Sequence, residues 1–326
     1  MKKVLVTEPI HDDGLALLRE HADVEILAAD GTDAASLKKL MPDVQGIVVR
    51  LANLTAELLE RAPDLEVVSR HGVGCDAIDV AHLTARGIPV AITAGANSTS
   101  VTEHTFGLML SLARHQRAQD AAVREGRFHD RGSLIATDLE DARLLVIGFG
   151  RIGRKVARIA RAFGMEVTVA DIALDEPLAS ELGCRAVEDF RPELPEADIV
   201  TVHVPLDAGT RHMIAGAEFA AMKPGALLIN CARGGIVDEA ALLVALEAGK
   251  LGGAGLDVFS TEPPPLDDEV FASLLARPDV IAAPHTGAAS TGAMRMMGVM
   301  AAQNVLDCFA GRLTAERVFN PEVLAR

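Results

Sequence analysis

The run Leu144-Leu-Val-Ile-Gly148-Phe-Gly150-Arg151-Ile152-Gly153-Arg-Lys-Val-Ala157 sets four apolar residues ahead of a G-x-G-x-x-G pattern and then opens a helical segment. A strand that enters a glycine turn and leaves it as a helix is the geometry that receives a dinucleotide. Gly148 makes the tight turn, Gly150 lets the backbone approach a pyrophosphate, and Gly153 lets helix and strand pack closely. The N–H groups near Arg151 and Ile152 would point at the phosphates, helped by the helix dipole. Taken alone, the pattern also fits an ordinary glycine turn. The next strand, however, ends in Asp171. A carboxylate there accepts hydrogen bonds from the ribose hydroxyls of NAD and repels the 2′-phosphate of NADP. Ile172, Ala173 and Leu174 bring no cation for that phosphate, so NAD is the expected cofactor.

Beyond this motif the alternation of apolar and helical segments continues. Strands are expected at 143–147, 166–170, 199–203, 226–230, 253–257 and 280–282, the six of a complete dinucleotide-binding sheet. Before it, strands at 4–7, 24–27, 46–50, 66–69 and 89–92 alternate with helical segments at 13–20, 33–40, 55–61 and 77–85. Such alternation implies parallel sheets covered by helices. A long helical stretch is expected over 98–119, with Ser100-Val-Thr-Glu103 fitting a capping box. Residues 124–137 lack a pattern. A last helix, 291–310, has little of the second sheet left to cover and is expected to pack on the first domain.

A chain of 326 residues is long enough for two domains, each with its own core. Its hydrophobic content of 49% and charged content of 24% are those of a soluble globular protein. A formal net charge of −15 argues against a general nucleic-acid or membrane surface. Any anionic substrate must therefore be met by a local cluster of arginines. The apolar runs fall short of the ~20 residues of a membrane span, and the N-terminal one is too short for a signal peptide. Cys75, Cys184, Cys231 and Cys308 form no C-x-x-C pair, so free thiols in a reducing cytosol are expected rather than disulfides or a zinc site.

Hydride transfer to a 2-keto acid needs a cation to hold the carboxylate and polarise the carbonyl. It also needs a proton donor for the carbonyl oxygen and a group that tunes the donor's pKa. Three loops of the second half offer these, each past a strand's carboxyl end, where open α/β sheets bind ligands. Asn230-Cys231-Ala232-Arg233-Gly-Gly-Ile-Val-Asp-Glu239 offers Arg233, Gly255-Leu-Asp257-Val-Phe-Ser-Thr-Glu262-Pro offers Glu262, and Pro284-His285-Thr-Gly287 offers His285. Singly, each has a plainer reading: a surface ion pair, a pre-proline loop residue, a turn histidine. Their convergence beside a nucleotide site favours chemistry.

Together these motifs resemble the D-isomer-specific 2-hydroxyacid dehydrogenases, especially the D-3-phosphoglycerate dehydrogenase branch. Arg50, the run Arg70-His-Gly-Val73-Gly74-Cys-Asp76-Ala-Ile-Asp79 and Asn97-Ser-Thr-Ser-Val-Thr-Glu103 extend the resemblance over essentially the whole chain. It implies two doubly wound α/β domains: a Rossmann cofactor domain at 98–286 inserted into a flavodoxin-like substrate domain made of 1–97 and 287–326. By motif position Arg233 corresponds to the substrate-binding arginine, His285 to the acid/base and Glu262 to the carboxylate that raises its pKa. The resemblance assigns Asp257 to the nicotinamide carboxamide and the Val73 and Gly74 amides to the substrate carboxylate. It adds His203, Pro205, Thr210, Cys231, Ala232 and Gly287 to the cofactor contacts, and implies a homodimer formed through the cofactor domain.

Several relatives are set aside by residue. Formate dehydrogenases of this superfamily carry glutamine where this chain has Glu262. D-lactate dehydrogenases place a bulky aromatic soon after the histidine, whereas here His285-Thr-Gly-Ala-Ala follows and the chain has no Tyr or Trp. In the phosphoglycerate branch, arginines matching Arg50 and Arg70 contact the distal phosphate; snorkelling at a strand end is the plainer alternative. Leu51-Ala-Asn53 departs from the serine-containing run of that branch, which leaves a sulfonate, as in sulfolactate, or a second carboxylate open as the tail. The C-terminal regulatory domains of longer phosphoglycerate dehydrogenases are expected to be absent, and serine inhibition with them. C-terminal binding proteins, which act as NAD-sensing corepressor scaffolds, share a similar triad. The absence of a disordered, modifiable tail counts against that reading.

Overall fold

Valine and isoleucine crowd the short strands of both halves, as strands buried on two faces require. The fold, obtained as a computed structural model, describes residues 1–21 and 23–325. Ala22 and Arg326, which fall within the expected substrate domain, lie outside the described residues. The chain divides into two units, 1–97 with 289–326, and 98–288.

In the first unit β1 (Lys2–Val6), β2 (Val24–Ala28), β3 (Gly46–Val49), β4 (Val67–Arg70) and β5 (Val90–Ile92) form one parallel sheet, ordered β2-β1-β3-β4-β5. This is the flavodoxin-like order. Leu37, Leu58, Leu59 and Leu83 cover one face from three short helices. Those helices start where side chains satisfy their free amides: Asp33 accepts from Ala35 and Ser36, Thr55 from Leu58, and Asp79 from His82. The Asp79 cap shortens the expected 77–85 segment to Val80–Ala85.

The other face is covered by the helices Asp12–Arg19 and Thr291–Phe309. Leu18, Ala301, Ala302, Val305 and Leu306 close there over Val4, Val6, Val48, Val67 and Ala91. The two helices cross where both lack a side chain. A Cβ on Gly14 would lie 2.5 Å from the Gly298 carbonyl oxygen.

The second unit holds β6 (Arg143–Ile147), β7 (Glu166–Ala170), β8 (Arg185–Val187), β9 (Ile199–Val202), β10 (Ala226–Asn230), β11 (Leu251–Leu256) and β12 (Val280–Ala282). All pairings are parallel, in the order β12-β11-β10-β9-β6-β7-β8. This is the Rossmann order with one strand added at the β12 edge. The seventh strand corrects the expected six. β8 is three residues long, pairs only with β7, and has no fully buried side chain, so it carries no apolar signal.

The stretch 98–119 is likewise two helices, Ser98–Ala113 and Gln116–Arg124. The chain breaks between them at His115, which adopts a left-handed φ of 50° with Nε2 3.1 Å from the Ile135 carbonyl oxygen. The capping box is not formed either. The helix has already begun at Ser98, so Ser100 lies inside it. No helix among the described residues is long and apolar enough to cross a membrane.

The helix crossing yields a paired stability test. Gly14→Ala must push the helices apart and should cost about 1–3 kcal/mol, the range for overpacking. Gly292→Ala, in the same long helix but with nothing within 4 Å of its Cβ, should change stability by no more than about 1 kcal/mol in the favourable direction. Urea denaturation of both variants checks this; equal losses would refute the crossing as the constraint.

Candidate active site

The glycine turn is shaped by backbone contacts. Gly148 has a φ of 101°, and a Cβ there would lie 2.6 Å from the His203 carbonyl carbon. At Gly153 a Cβ would lie 1.9 Å from Gly148 O, whereas at Gly150 it would meet nothing within 4 Å. The turn is therefore tight against β9 and the helix Arg151–Ala162, yet open on its Gly150 face. No side chain caps that helix, which leaves its first amides to a ligand's oxygens. A pyrophosphate fits this cradle.

Asp171 does more than the sequence suggested. Its Oδ2 accepts the Phe149 N–H at 2.6 Å and its Oδ1 the Ala173 N–H at 2.8 Å, tying the glycine turn to the end of β7. A carboxylate can accept about four hydrogen bonds, so capacity for ribose hydroxyls remains. Ile172 beside it is fully exposed. His203 is half-buried with its Nδ1 shielded from solvent, and this burial pushes its pKa down to about 4, with Nε2 3.0 Å from Thr201 Oγ1. Thr210 Oγ1 donates to Pro205 O at 2.7 Å and closes the loop after β9. Cys231 is buried after β10, and burial pushes its thiol up to about 12.

The structure brings the three chemical loops together. His285 Nδ1 lies 2.7 Å from Glu262 Oε2, and Glu262 Oε1 accepts the Phe259 N–H at 3.1 Å. The hydrogen bond with Glu262 raises the His285 pKa above its ordinary value, against the lowering effect of burial. Burial works against the Glu262 carboxylate, but the bonds from His285 and Phe259 outweigh it and hold its pKa below the ordinary value. Arg233 is near enough for its charge to act on His285. Asn230 closes the turn that presents it, accepting from Ala232 N and donating to Arg233 O, each at 3.0 Å.

The loops bearing Arg233 and Glu262 touch closely: a Cβ on Gly234 would lie 1.7 Å from Phe259 O. An apolar cavity of about 420 Å³, lined by Phe259, Pro263, Pro264, Leu275 and Pro284, opens beside Glu262 and His285. A depression of about 440 Å³ lies at the amino ends of β6 and β7, but its charges pair with one another, Arg143 with Glu166 and Arg185 with Glu193.

In the first unit, Arg50 and Arg70 stand at the carboxyl ends of β3 and β4, and both charges act on the buried His71. The Arg50 loop is held by Glu8, whose carboxylate accepts the N–H groups of Arg50, Leu51 and Ala52 at 2.9, 2.6 and 2.6 Å. The sequence reading passed over Glu8; its only signal was a carboxylate placed directly after β1. Arg70 is turned onto its own loop. Its Nε donates to Gly74 O at 2.8 Å and its Nη1 to His71 O. It thereby shapes the turn carrying the Val73 and Gly74 amides, where Gly72 has a φ of 142° that a side chain disfavours.

Residues 106–287 match the NAD binding domain of the D-isomer specific 2-hydroxyacid dehydrogenases. The D-3-phosphoglycerate dehydrogenase of Methanocaldococcus jannaschii is 39% identical over 98% of this chain, which spans 60% of that relative's length. The hydroxypyruvate reductase of Thermotoga maritima is 38% identical over 91% of this chain and 95% of its own. Among solved structures, D-lactate dehydrogenase from Aquifex aeolicus complexed with NAD and lactic acid superposes with a TM-score of 0.87 at 29% identity, covering 98% of this chain and 99% of that one. The glycine turn, the Glu262–His285 pair and these likenesses place the chain in the D-isomer-specific 2-hydroxyacid dehydrogenase family.

Proposed function

We propose that this chain is an NAD-dependent 2-hydroxyacid dehydrogenase acting at C2 of a small 2-hydroxy or 2-keto acid. The 2.7 Å pairing of His285 with Glu262, with Arg233 acting on the same histidine, carries this reading. When bound, the nicotinamide is the hydride donor or acceptor. The Gly150 face and the first amides of the following helix would hold its pyrophosphate, and Asp171 its ribose.

Arg233 binds the substrate carboxylate and polarises the C2 carbonyl. His285 carries a proton on Nε2 for the carbonyl oxygen during reduction and accepts it back during oxidation. Glu262 holds Nδ1 protonated, fixing the tautomer and orientation and stabilising the imidazolium. The Val73 and Gly74 amides serve the carboxylate from the first unit. We further read the active form as a homodimer built through the cofactor domain, in keeping with exposed Val123, Phe128 and Ile135 in the stretch after the first long helix.

For the substrate we propose an anionic tail, phosphate first and sulfonate or carboxylate second, met by Arg50 and assisted by Arg70. Their placement and the phosphoglycerate dehydrogenase relatives support it. A short, untailed keto acid such as hydroxypyruvate is the second reading, favoured by the hydrogen bonds that turn Arg70 onto its own loop.

The parent enzyme should prefer NAD over NADP by at least about tenfold in kcat/KM, a discrimination of about 1.4 kcal/mol. Asp171→Ala should narrow the gap, mainly by improving NADP, while loosening the turn that Asp171 holds at Phe149. Equal use of both cofactors by the parent would refute the role given to Asp171.

His285→Ala should lower kcat by about 100-fold or more, as loss of a general acid does. The His285 pKa is raised by Glu262, so Glu262→Gln should lower it. The acid limb of hydroxy-acid oxidation, which needs the neutral ring, should then move to lower pH. The alkaline limb of keto-acid reduction, which needs the protonated ring, should move the same way. An unshifted pair of profiles would remove Glu262 from its role.

The tail is tested by Arg50→Ala with 3-phosphoglycerate, sulfolactate and glycerate. A charge-assisted hydrogen bond is worth roughly 1.5–3 kcal/mol, so kcat/KM for a tailed substrate should fall about 10- to 150-fold while glycerate is spared. Arg70→Ala should impair both classes through the Val73–Gly74 turn, the tailed substrate further, and Arg233→Ala should impair both alike through the shared carboxylate. If Arg50→Ala also reduces both classes equally, the short keto acid becomes the substrate.

A further inference from the structure

The loop carrying His285 is held by groups other than Arg233 and Glu262. His285 has a φ of 53°, a left-handed conformation that a side chain disfavours. Three successive amides nearby are taken by Asp257. Its carbonyl accepts His285 N–H at 2.9 Å, Oδ1 accepts Thr286 N–H at 2.8 Å, and Oδ2 accepts Gly287 N–H at 2.9 Å. Asp257 is only 2% exposed, and a Cβ on Gly287 would lie 2.7 Å from its Oδ2.

Behind this clamp stands the helix Ser98–Ala113. Ser100 Oγ donates to Gly287 O at 2.6 Å, and His104 Nε2 lies 3.3 Å from Asp257 Oδ1. That ring nitrogen is buried and makes no hydrogen bond among the described residues. Ser100 and His104 are one helical turn apart on one stripe, which Leu108 and Leu112 continue along β11. Room for that stripe comes from Gly255 and Gly253, where a Cβ would lie 2.9 Å from Leu108 and 3.0 Å from Leu112. The apolar half of the stripe fixes the helix on the strand. The polar half reaches the 285–287 loop through Ser100 and the Asp257 carboxylate.

We propose that Ser100 and His104 are positioning residues for His285, a proposal that rests on His285 being the acid/base. Ser100 fixes the carbonyl side of the loop. His104 packs its buried Nε2 3.3 Å from the Asp257 carboxylate that gathers the amide side, and Glu262 then meets an imidazole already set in place. A merely structural helix contact would lower stability and leave turnover alone.

The test uses the full chain with NADH and the best-turned-over keto acid among hydroxypyruvate, 3-phosphohydroxypyruvate and glyoxylate. Misplacing a catalytic group by about 1 Å can cost about 100-fold. Ser100→Ala and His104→Phe should therefore each lower kcat by about 5- to 20-fold, with KM for NADH and keto acid held within about twofold. His104→Gln, whose amide nitrogen can lie beside the Asp257 carboxylate as Nε2 does, should recover kcat to within about threefold of the parent. Thermal unfolding checks that the variants are folded, and Ser100→Ala, which removes one hydroxyl, keeps the test open if His104→Phe does not fold. Parent-like kcat in Ser100→Ala and His104→Phe, KM rising in step with the loss, or no recovery in His104→Gln each overturns the positioning role. His285→Ala separates the two readings. If it loses turnover while Ser100→Ala and His104→Phe do not, only the positioning role falls; if it retains turnover, the acid/base assignment falls first.

Discussion

The hydrogen bond between Glu262 and His285 joins the loops after β11 and β12, and it forms only if both loops keep their heights above the sheet. Main-chain contact sets those heights. Gly234 lies so close against Phe259 that no other residue fits, and this holds the Arg233 turn against the loop that leads to Glu262. The same economy governs the cofactor end, where Gly148, Gly153 and the His203 backbone leave no space for a side chain. Packing at this density transmits displacement instead of absorbing it. A shift in β10 would press on the loop that leads to Glu262 through the contact of Gly234 with Phe259.

Electrostatics then finishes what packing begins. Glu262 and His285 perturb each other in opposite directions, the carboxylate held low and the imidazole held high, and this widens the pH range over which the pair stays ionised. His203, also near the cofactor turn, is treated the opposite way. Burial without a charged partner keeps it neutral. Two histidines of one domain are thus shifted in opposite directions, one by burial and the other by the hydrogen bond with a carboxylate.

Much of this was legible in the chain because the features were local. The glycine pattern, the strand before it and the aspartate after the next strand are read from about thirty residues, the span of one βαβ unit. The loops with Arg233, Glu262 and His285 were likewise marked by their position after apolar runs. What escaped reading depends on partners distant in sequence. Ser100 looked like a helix cap because Glu103 follows three residues later, but its partner is Gly287. Glu8 gave no sign that it would gather the amides of Arg50–Ala52. Arg70 matches a contact with the distal phosphate, with snorkelling at a strand end as the alternative, yet it bonds two carbonyls of its own turn. β8 is too short for any period, and His115 ends a helix with no proline or glycine to announce the break.

The long helix Thr291–Phe309 has a consequence for the order in which the nascent chain matures. It covers the face of β3, β4 and β5 with Ala301, Ala302, Val305 and Leu306, yet all of 98–288 is synthesised between those strands and their cover. The inserted unit is continuous and can complete its core while the ribosome is still at work, because domains fold as units during synthesis. Those strands leave the tunnel before it but keep Val48, Val67 and Ala91 without their final partners until 291–309 emerges. Vectorial folding is thus inverted in this chain: the part made first is sealed last, and its exposed valines are the surface a chaperone would meet during that interval.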